Sequence, residues 1–187
     1  MTKFELGSEF QTPPDVCKYM ASLVPAGSKR LLEPTRGDGN LVRELNDYEV
    51  TAPDNFFKLD PQRFDCVVMN PPFSMKYAFG VPENVDLKGL RLGYYILQEC
   101  MKMSDNVIAL MPLFTISDSD VRLRYLKIFG IKSITILPRK TFKYVRIQTA
   151  VFDLVKGWQE ETIFRAYELM NFPQLETLNL KPETHLP

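Results

Sequence analysis

The sequence predicts an α/β protein with a mostly parallel central sheet and helices on both faces. Two observations carry that prediction. Short apolar runs alternate with helix-period segments along most of the 187 residues. The run Asp65-Cys66-Val67-Val68-Met69 also ends abruptly at Asn70-Pro71-Pro72-Phe73, as a buried strand does when it leaves the sheet at a ligand-facing end. Two consecutive prolines lack backbone N–H groups and fix φ, so they cannot continue the strand there. They make a rigid elbow that holds one amide and one aromatic ring.

The elements follow in order. Thr12 reads as the N-cap of a first helix, with Pro13 and Pro14 in its opening turn and Val16, Tyr19, Met20, Leu23 and Val24 at helical spacing. Residues 29–33 form a strand that runs into the Gly37-Asp38-Gly39 turn, and residues 40–46 form a short helix. Strands are expected at 48–52 and 65–69. Residues 74–88 have no clean period and read as a long loop beside the elbow. A helix over 90–103 follows, then a strand at 106–111 and a helix capped by Ser117 or Asp118 that ends at Gly130. Strands at 131–137 and 148–155 complete the sheet. The expected organisation is one domain over 1–156, with a partly ordered tail over 157–187 that includes a short element at 162–169.

Composition narrows the chemistry. No apolar run is long enough to span a bilayer, and the first five residues lack the marks of a signal peptide, so a cytoplasmic location is expected. Three widely spaced cysteines read as buried thiols, and no ligand set for a metal is evident. The only histidine is His185, which argues against histidine-based acid–base chemistry. Basic and acidic residues balance at 23 each. Residues 121–152, however, carry Arg122, Arg124, Lys127, Lys132, Arg139, Lys140, Lys143 and Arg146 and no acid. Such a stretch points to a polyanionic partner, most simply nucleic acid; the plain alternative is a solvated exterior. Lys76, Arg122, Arg124, Arg139, Lys140, Lys143 and Arg146 are the candidate nucleic-acid contacts.

A GxG turn alone is weak evidence, and the loop lacks the Lys-Ser/Thr of a phosphate-gripping loop. Three signals in order are more specific: Gln11-Thr12-Pro13-Pro14, then Glu33-Pro34-x-x-Gly37-x-Gly39, then Asn70-Pro71-Pro72-Phe73. In this the chain resembles the S-adenosylmethionine-dependent amino-methyltransferases, most closely the DNA N6-adenine methyltransferases, over about residues 8–156. The resemblance continues in residues 106–112, the Leu137-Pro138-x-x-Thr141-Phe142 turn and residues 149–156. It implies a Rossmann-like methyltransferase fold and S-adenosylmethionine as cofactor. Gln11, Thr12 and Pro13 would line the methionine end of that cofactor, with Glu33, Pro34, Gly37 and Gly39 around it. Asp54 and Phe56 complete the candidate cofactor residues. Asn70, Pro71, Pro72 and Phe73 would hold the target amine.

The chemistry of the residues agrees. An exocyclic adenine nitrogen is a poor nucleophile because its lone pair is delocalised into the ring. Two fixed acceptors, the Asn70 side-chain oxygen and the Pro71 carbonyl, can take both N–H groups and localise that pair. Phe73 offers a face for a base flipped out of a duplex. Positioning then supplies most of the catalysis, and no histidine is needed. The alternative for Asn70 is a turn residue that bonds its own backbone.

Two departures from the family stand out. Only 33 positions separate Gly37 from Asn70, which leaves room for a sheet one strand short. Either the ribose carboxylate is missing, or one acid, Glu49 or Asp54, replaces the usual two; weak or partner-assisted cofactor binding is the expectation. The 31 residues after Lys156 are also too few for a target-recognition domain. Selectivity would be low, or come from the 74–88 loop and the basic stretch, or depend on a specificity or activating subunit. The competing readings are an RNA base methyltransferase and a methyltransferase-like protein that binds nucleic acid or a partner without turnover. A protein glutamine methyltransferase fits less well, since such enzymes lack the Thr-Pro-Pro opening.

Overall fold

The computed structural model describes residues 10–73, 80–83, 85, 91–142 and 147–166. Lys76, Lys143 and Arg146, most of the 74–88 loop and residues 167–187 lie outside them.

The strands are β1 (Arg30–Leu32), β2 (Glu49–Thr51), β3 (Cys66–Met69), β4 (Asn106–Pro112), β5 (Ile131–Ile136), β6 (Thr149–Val155) and β7 (Ile163–Ala166). They form one seven-stranded sheet in the order β2-β1-β3-β4-β6-β5-β7. The β1–β2, β1–β3, β3–β4 and β5–β7 pairs are parallel, and only β6 runs against the rest. The expected mostly parallel sheet is therefore present. Between Thr51 and Cys66 there is no further strand, only a 3-10 turn at Phe56–Lys58, so β2 is the edge on that side. The opposite edge gains β7, which falls in the stretch read as a tail and carries the sheet to Ala166.

Strand alternation divides the core in two. Leu31, Cys66, Val68, Ile108, Leu110 and Val151 face helix α1 (Pro14–Ser22), through Val16, Cys17 and Met20, and helix α2 (Asn40–Glu44), through Leu41. Leu32, Val67, Met69, Val107, Ala109 and Phe152 face helix α3 (Leu92–Met103), through Leu92, Ile96, Leu97 and Cys100, together with Leu126. All four residues of β3 are buried because both faces of this central strand are covered. Cys17, Cys66 and Cys100 are buried free thiols, and burial pushes the Cys17 thiol up to about 12.

Two local expectations are corrected. The cap of α1 is Pro13, with no side-chain cap bond, because the Thr12 hydroxyl is engaged elsewhere. The helix expected from Ser117 or Asp118 is α5 (Asp120–Phe129), capped instead by Ser119, which accepts the Arg122 N–H, and a separate short helix α4 (Phe114–Ser117) precedes it. Among the described residues, no helix is long and apolar enough to cross a membrane. No cluster of three or more His, Cys, Asp or Glu among them could hold a metal ion.

Candidate active site

Because β1, β3, β4 and β5 run the same way, the segments that follow them meet at one edge of the sheet. The elbow leaves β3 there. Among the described residues, Asn70 does not bond its own turn. Its Nδ2 donates to the Phe10 carbonyl at 3.0 Å and to Thr12 Oγ1 at 3.0 Å, across about sixty residues of chain. A carbonyl can only accept, so this contact orients the amide: nitrogen towards the N-terminal segment, Oδ1 turned away from it. Thr12 is a hub. It is 4% exposed, its hydroxyl meets Asn70, and its carbonyl accepts from Asn40 Nδ2 at 2.9 Å. The three sequence signals thus converge through hydrogen bonds, with α1 and α2 packed behind them.

The loop after β1 begins with Glu33, only 1% exposed. Its Oε1 accepts from the Thr35 backbone N–H at 3.2 Å and lies 3.4 Å from the Thr35 hydroxyl. Its Oε2 is buried with no partner among the described residues. Burial pushes this carboxyl up to about 8, against the lowering pull of the Thr35 bonds and of Arg36. A buried carboxylate oxygen without a donor is a place where a ligand's N–H fits. Pro34 is buried beside it, and Pro13 is half-buried at the start of α1. Gly37 has φ +51°, and a Cβ there would sit 2.7 Å from Gln11 Oε1. The positive φ is what favours glycine there; the Gln11 amide, the mobile end of a side chain, folds over the loop and accepts the Asp38 N–H at 3.0 Å. Gly39 caps α2 in the left-handed conformation.

The acids and aromatics beyond β2 are sorted by position. Glu49 opens β2 opposite Arg30, at the end of the sheet remote from the elbow. Asp54 follows the other end of β2 and pairs with Arg36 of the first loop at 3.3 Å, with its side chain 90% exposed. Of the two acids considered for the ribose, Asp54 alone is at the site edge. Phe56 is buried in the core, whereas Phe57 is half-buried and stacked on Tyr95.

The basic stretch is divided by the fold. Arg139 and Lys140 are exposed just past β5, at the site edge. Arg122 lies in the first turn of α5, near the same edge, whereas Arg124 and Lys127 are exposed along that helix. Lys132 pairs with Asp153 at 3.4 Å.

Two residues that pattern reading passes over belong to the site. Thr35 links its two halves: its hydroxyl lies 3.3 Å from the Asn70 carbonyl as well as against Glu33. A hydroxyl residue two positions after a strand-end acid is the only sequence signal for it. Gly93, buried in the first turn of α3, lets the elbow rest on the helix; a Cβ there would meet the Pro72 carbonyl at 3.1 Å. A glycine inside an apolar helical pattern hints at such a close approach.

No protein-family model matches the sequence, and no curated protein matches it. Solved structures do. A type I restriction-modification methyltransferase subunit from Streptococcus thermophilus superposes with a TM-score of 0.64 at 17% identity, over 82% of this chain and 46% of that one. A modification subunit of a putative type I restriction enzyme from Vibrio vulnificus gives 0.61 at 20%, over 82% and 45%. A putative class I S-adenosylmethionine-dependent methyltransferase from Listeria monocytogenes gives 0.61 at 14%, over 90% and 69%. The chain spans less than half the length of the first two. At these identities the likeness is one of fold, and the fold is the Rossmann-like fold of S-adenosylmethionine-dependent methyltransferases.

Proposed function

We propose that the chain is a cytoplasmic enzyme that transfers a methyl group from S-adenosylmethionine to the exocyclic N6 amine of adenine in DNA. The carrying observation is the oriented Asn70 amide. With Nδ2 tied to Phe10 and Thr12, Oδ1 is the atom left to accept a target N–H.

The residues fit the cofactor. Glu33 Oε2, buried and unpartnered, suits the ammonium of the methionine end, beside a loop kept open by Gly37. Gln11, Thr12, Pro13, Pro34 and Gly39 would frame that end, and Asp54 would accept ribose hydroxyls. When bound, the cofactor supplies an electrophilic methyl on a sulfonium. The chain's own work is to orient the amine. Asn70 Oδ1 and the Pro71 carbonyl accept its two N–H groups and localise the nitrogen lone pair, and Phe73 stacks on the flipped base. The amine so held would present its lone pair to the methyl that the cofactor would supply. One amine proton leaves by way of the two acceptors to solvent.

DNA is favoured because two of the similar structures are, by name, subunits of type I restriction systems, and because Arg122, Arg139 and Lys140 lie at the site edge. Lys76, Lys143 and Arg146 are added from the sequence. A specificity or activating subunit is part of the proposal, because two of the similar structures are, by name, subunits of type I restriction systems. The test incubates the chain and Asn70→Ala with labelled S-adenosylmethionine and separate pools of duplex DNA, single-stranded DNA, RNA and protein. Label in DNA adenine that disappears in Asn70→Ala is the expected result. Label confined to RNA or protein overturns the DNA assignment, and no label in any pool overturns the enzyme assignment.

A further inference from the structure

On the far side of the elbow from Glu33, past the end of β4, lies a hollow whose floor is Phe73, Met111, Pro112 and Phe114. Two guanidinium groups stand over it. Arg91, exposed at the start of α3, lies with its guanidinium carbon 4.0 Å from the centre of the Phe114 ring. Arg122 comes from α5, donates from Nη2 to the Phe114 carbonyl at 3.3 Å, and sits over the Tyr94 ring at 5.8 Å. Aromatic faces hold both cations in place of acids: neither takes part in any ion pair among the described residues. The Arg122 Nε is moreover buried with no acceptor among the described residues. A stacked guanidinium keeps its edge N–H donors available and its direction fixed. Two such groups without a counter-charge among the described residues, one with an orphaned donor, form a candidate anion site.

We infer that Arg91 and Arg122 grip a backbone phosphate of the nucleic-acid strand that carries the target base. The placement fits. Along the sheet edge the order is the Glu33 loop after β1, the elbow after β3, and the hollow after β4. The hollow shares Phe73 with the elbow, so a base stacked on that ring has its own sugar-phosphate beside the two arginines. A planar fork on a phosphodiester gives orientation as well as charge. Arg91 lies outside the run 121–152 and joins the site only through the packing of α3 on the elbow.

The inference rests on the nucleic-acid reading above, and the experiment separates their failures. Binding of the full chain to short mixed-sequence single-stranded DNA, duplex DNA and RNA is measured over a salt series for the parent, Arg91→Gln and Arg122→Lys. Cofactor affinity is followed by calorimetry and folding by thermal melts. Arg91 is exposed, so Arg91→Gln is expected to melt as the parent does. It should weaken binding about tenfold at low salt and lower the slope of log K against log salt by about 1, with cofactor affinity unchanged. Arg122→Lys keeps the charge but loses the fork, and should weaken binding several-fold without changing the slope. Parental affinity and slope in Arg91→Gln would overturn the phosphate assignment and leave the function standing. A parent chain that binds none of the three nucleic acids would overturn both.

Discussion

The elbow after β3 and the loop after β1 sit side by side and are built on opposite principles. The elbow is over-determined: two prolines fix its backbone, Gly93 supports it from α3, and the Asn70 amide is bonded to a segment sixty residues away. The loop is turned by glycines, and its one buried acid keeps an oxygen unpartnered. An amine acceptor must be rigid before substrate arrives, because its contribution is geometric. A cofactor loop can hold a polar group in waiting, with the missing bond supplied by the ligand.

The largest expected effect falls on the elbow. Asn70→Ala should lower methyl transfer by about 100-fold or more, in the range seen when one preorganised transition-state contact is removed, with cofactor affinity changed little. Single-turnover transfer of a labelled methyl, set beside calorimetric cofactor binding, checks it; equal losses in both would erase the distinction between the two regions.

Glu33→Gln should do the reverse, weakening cofactor binding about thirtyfold through loss of a charge-assisted bond. The same residue sets a pH dependence. Its folded-state value, about 8, lies above its ordinary value of 4.5, so the free protein binds more protons than the unfolded chain between those limits. Stability is then fullest below about 4.5 and declines as pH rises towards 8. Cofactor affinity should move the other way and rise with pH, because the ionised carboxylate is the form that meets an ammonium. Melting curves and titrations between pH 5 and 8 on the parent and Glu33→Gln test both signs, and Glu33→Gln should be flatter in each.

Gly93→Ala tests the support beneath the elbow. Helix propensity favours alanine by about 1 kcal/mol, while the new Cβ presses on the Pro72 carbonyl. Transfer should slow about tenfold with little change in melting temperature or cofactor affinity. An unchanged rate would mean that the elbow does not depend on α3. The smallest effect is expected at Asp54. Its ion pair with Arg36 is exposed, so Asp54→Asn should leave the melting temperature within about 2 °C and weaken cofactor binding only a few-fold, read by the same titration.

Much of this was legible from local chemistry. Strand runs such as Cys66–Met69 and Asn106–Pro112 declare themselves because the buried positions of a strand covered on both faces must be apolar. Prolines and glycines mark the turns because their own φ preferences set them. Thr12 shows where such reading stops. A threonine before two prolines looks like a helix cap, yet its hydroxyl serves Asn70, since a bond to a buried amide is made only once distant segments meet. Phe56 and Phe57 show the same limit: adjacent rings of one type, one buried in the core and the other half-exposed against Tyr95, are separated by backbone direction alone.

By itself the sequence determined the alternation of strands and helices, the stiffness of the Asn70–Phe73 elbow and the residue types available for chemistry, since each follows from side chains acting on their own backbone. Tertiary structure alone decided which way the Asn70 amide faces, that Glu33 is left with an orphaned oxygen, that Asp54 and not Glu49 stands at the site edge, and that Arg91 joins Arg122 beside Phe73. The physical reason is the same in each case. Orientation, burial and the pairing of charges are properties of groups brought together from distant parts of the chain, and strand order and helix packing set them.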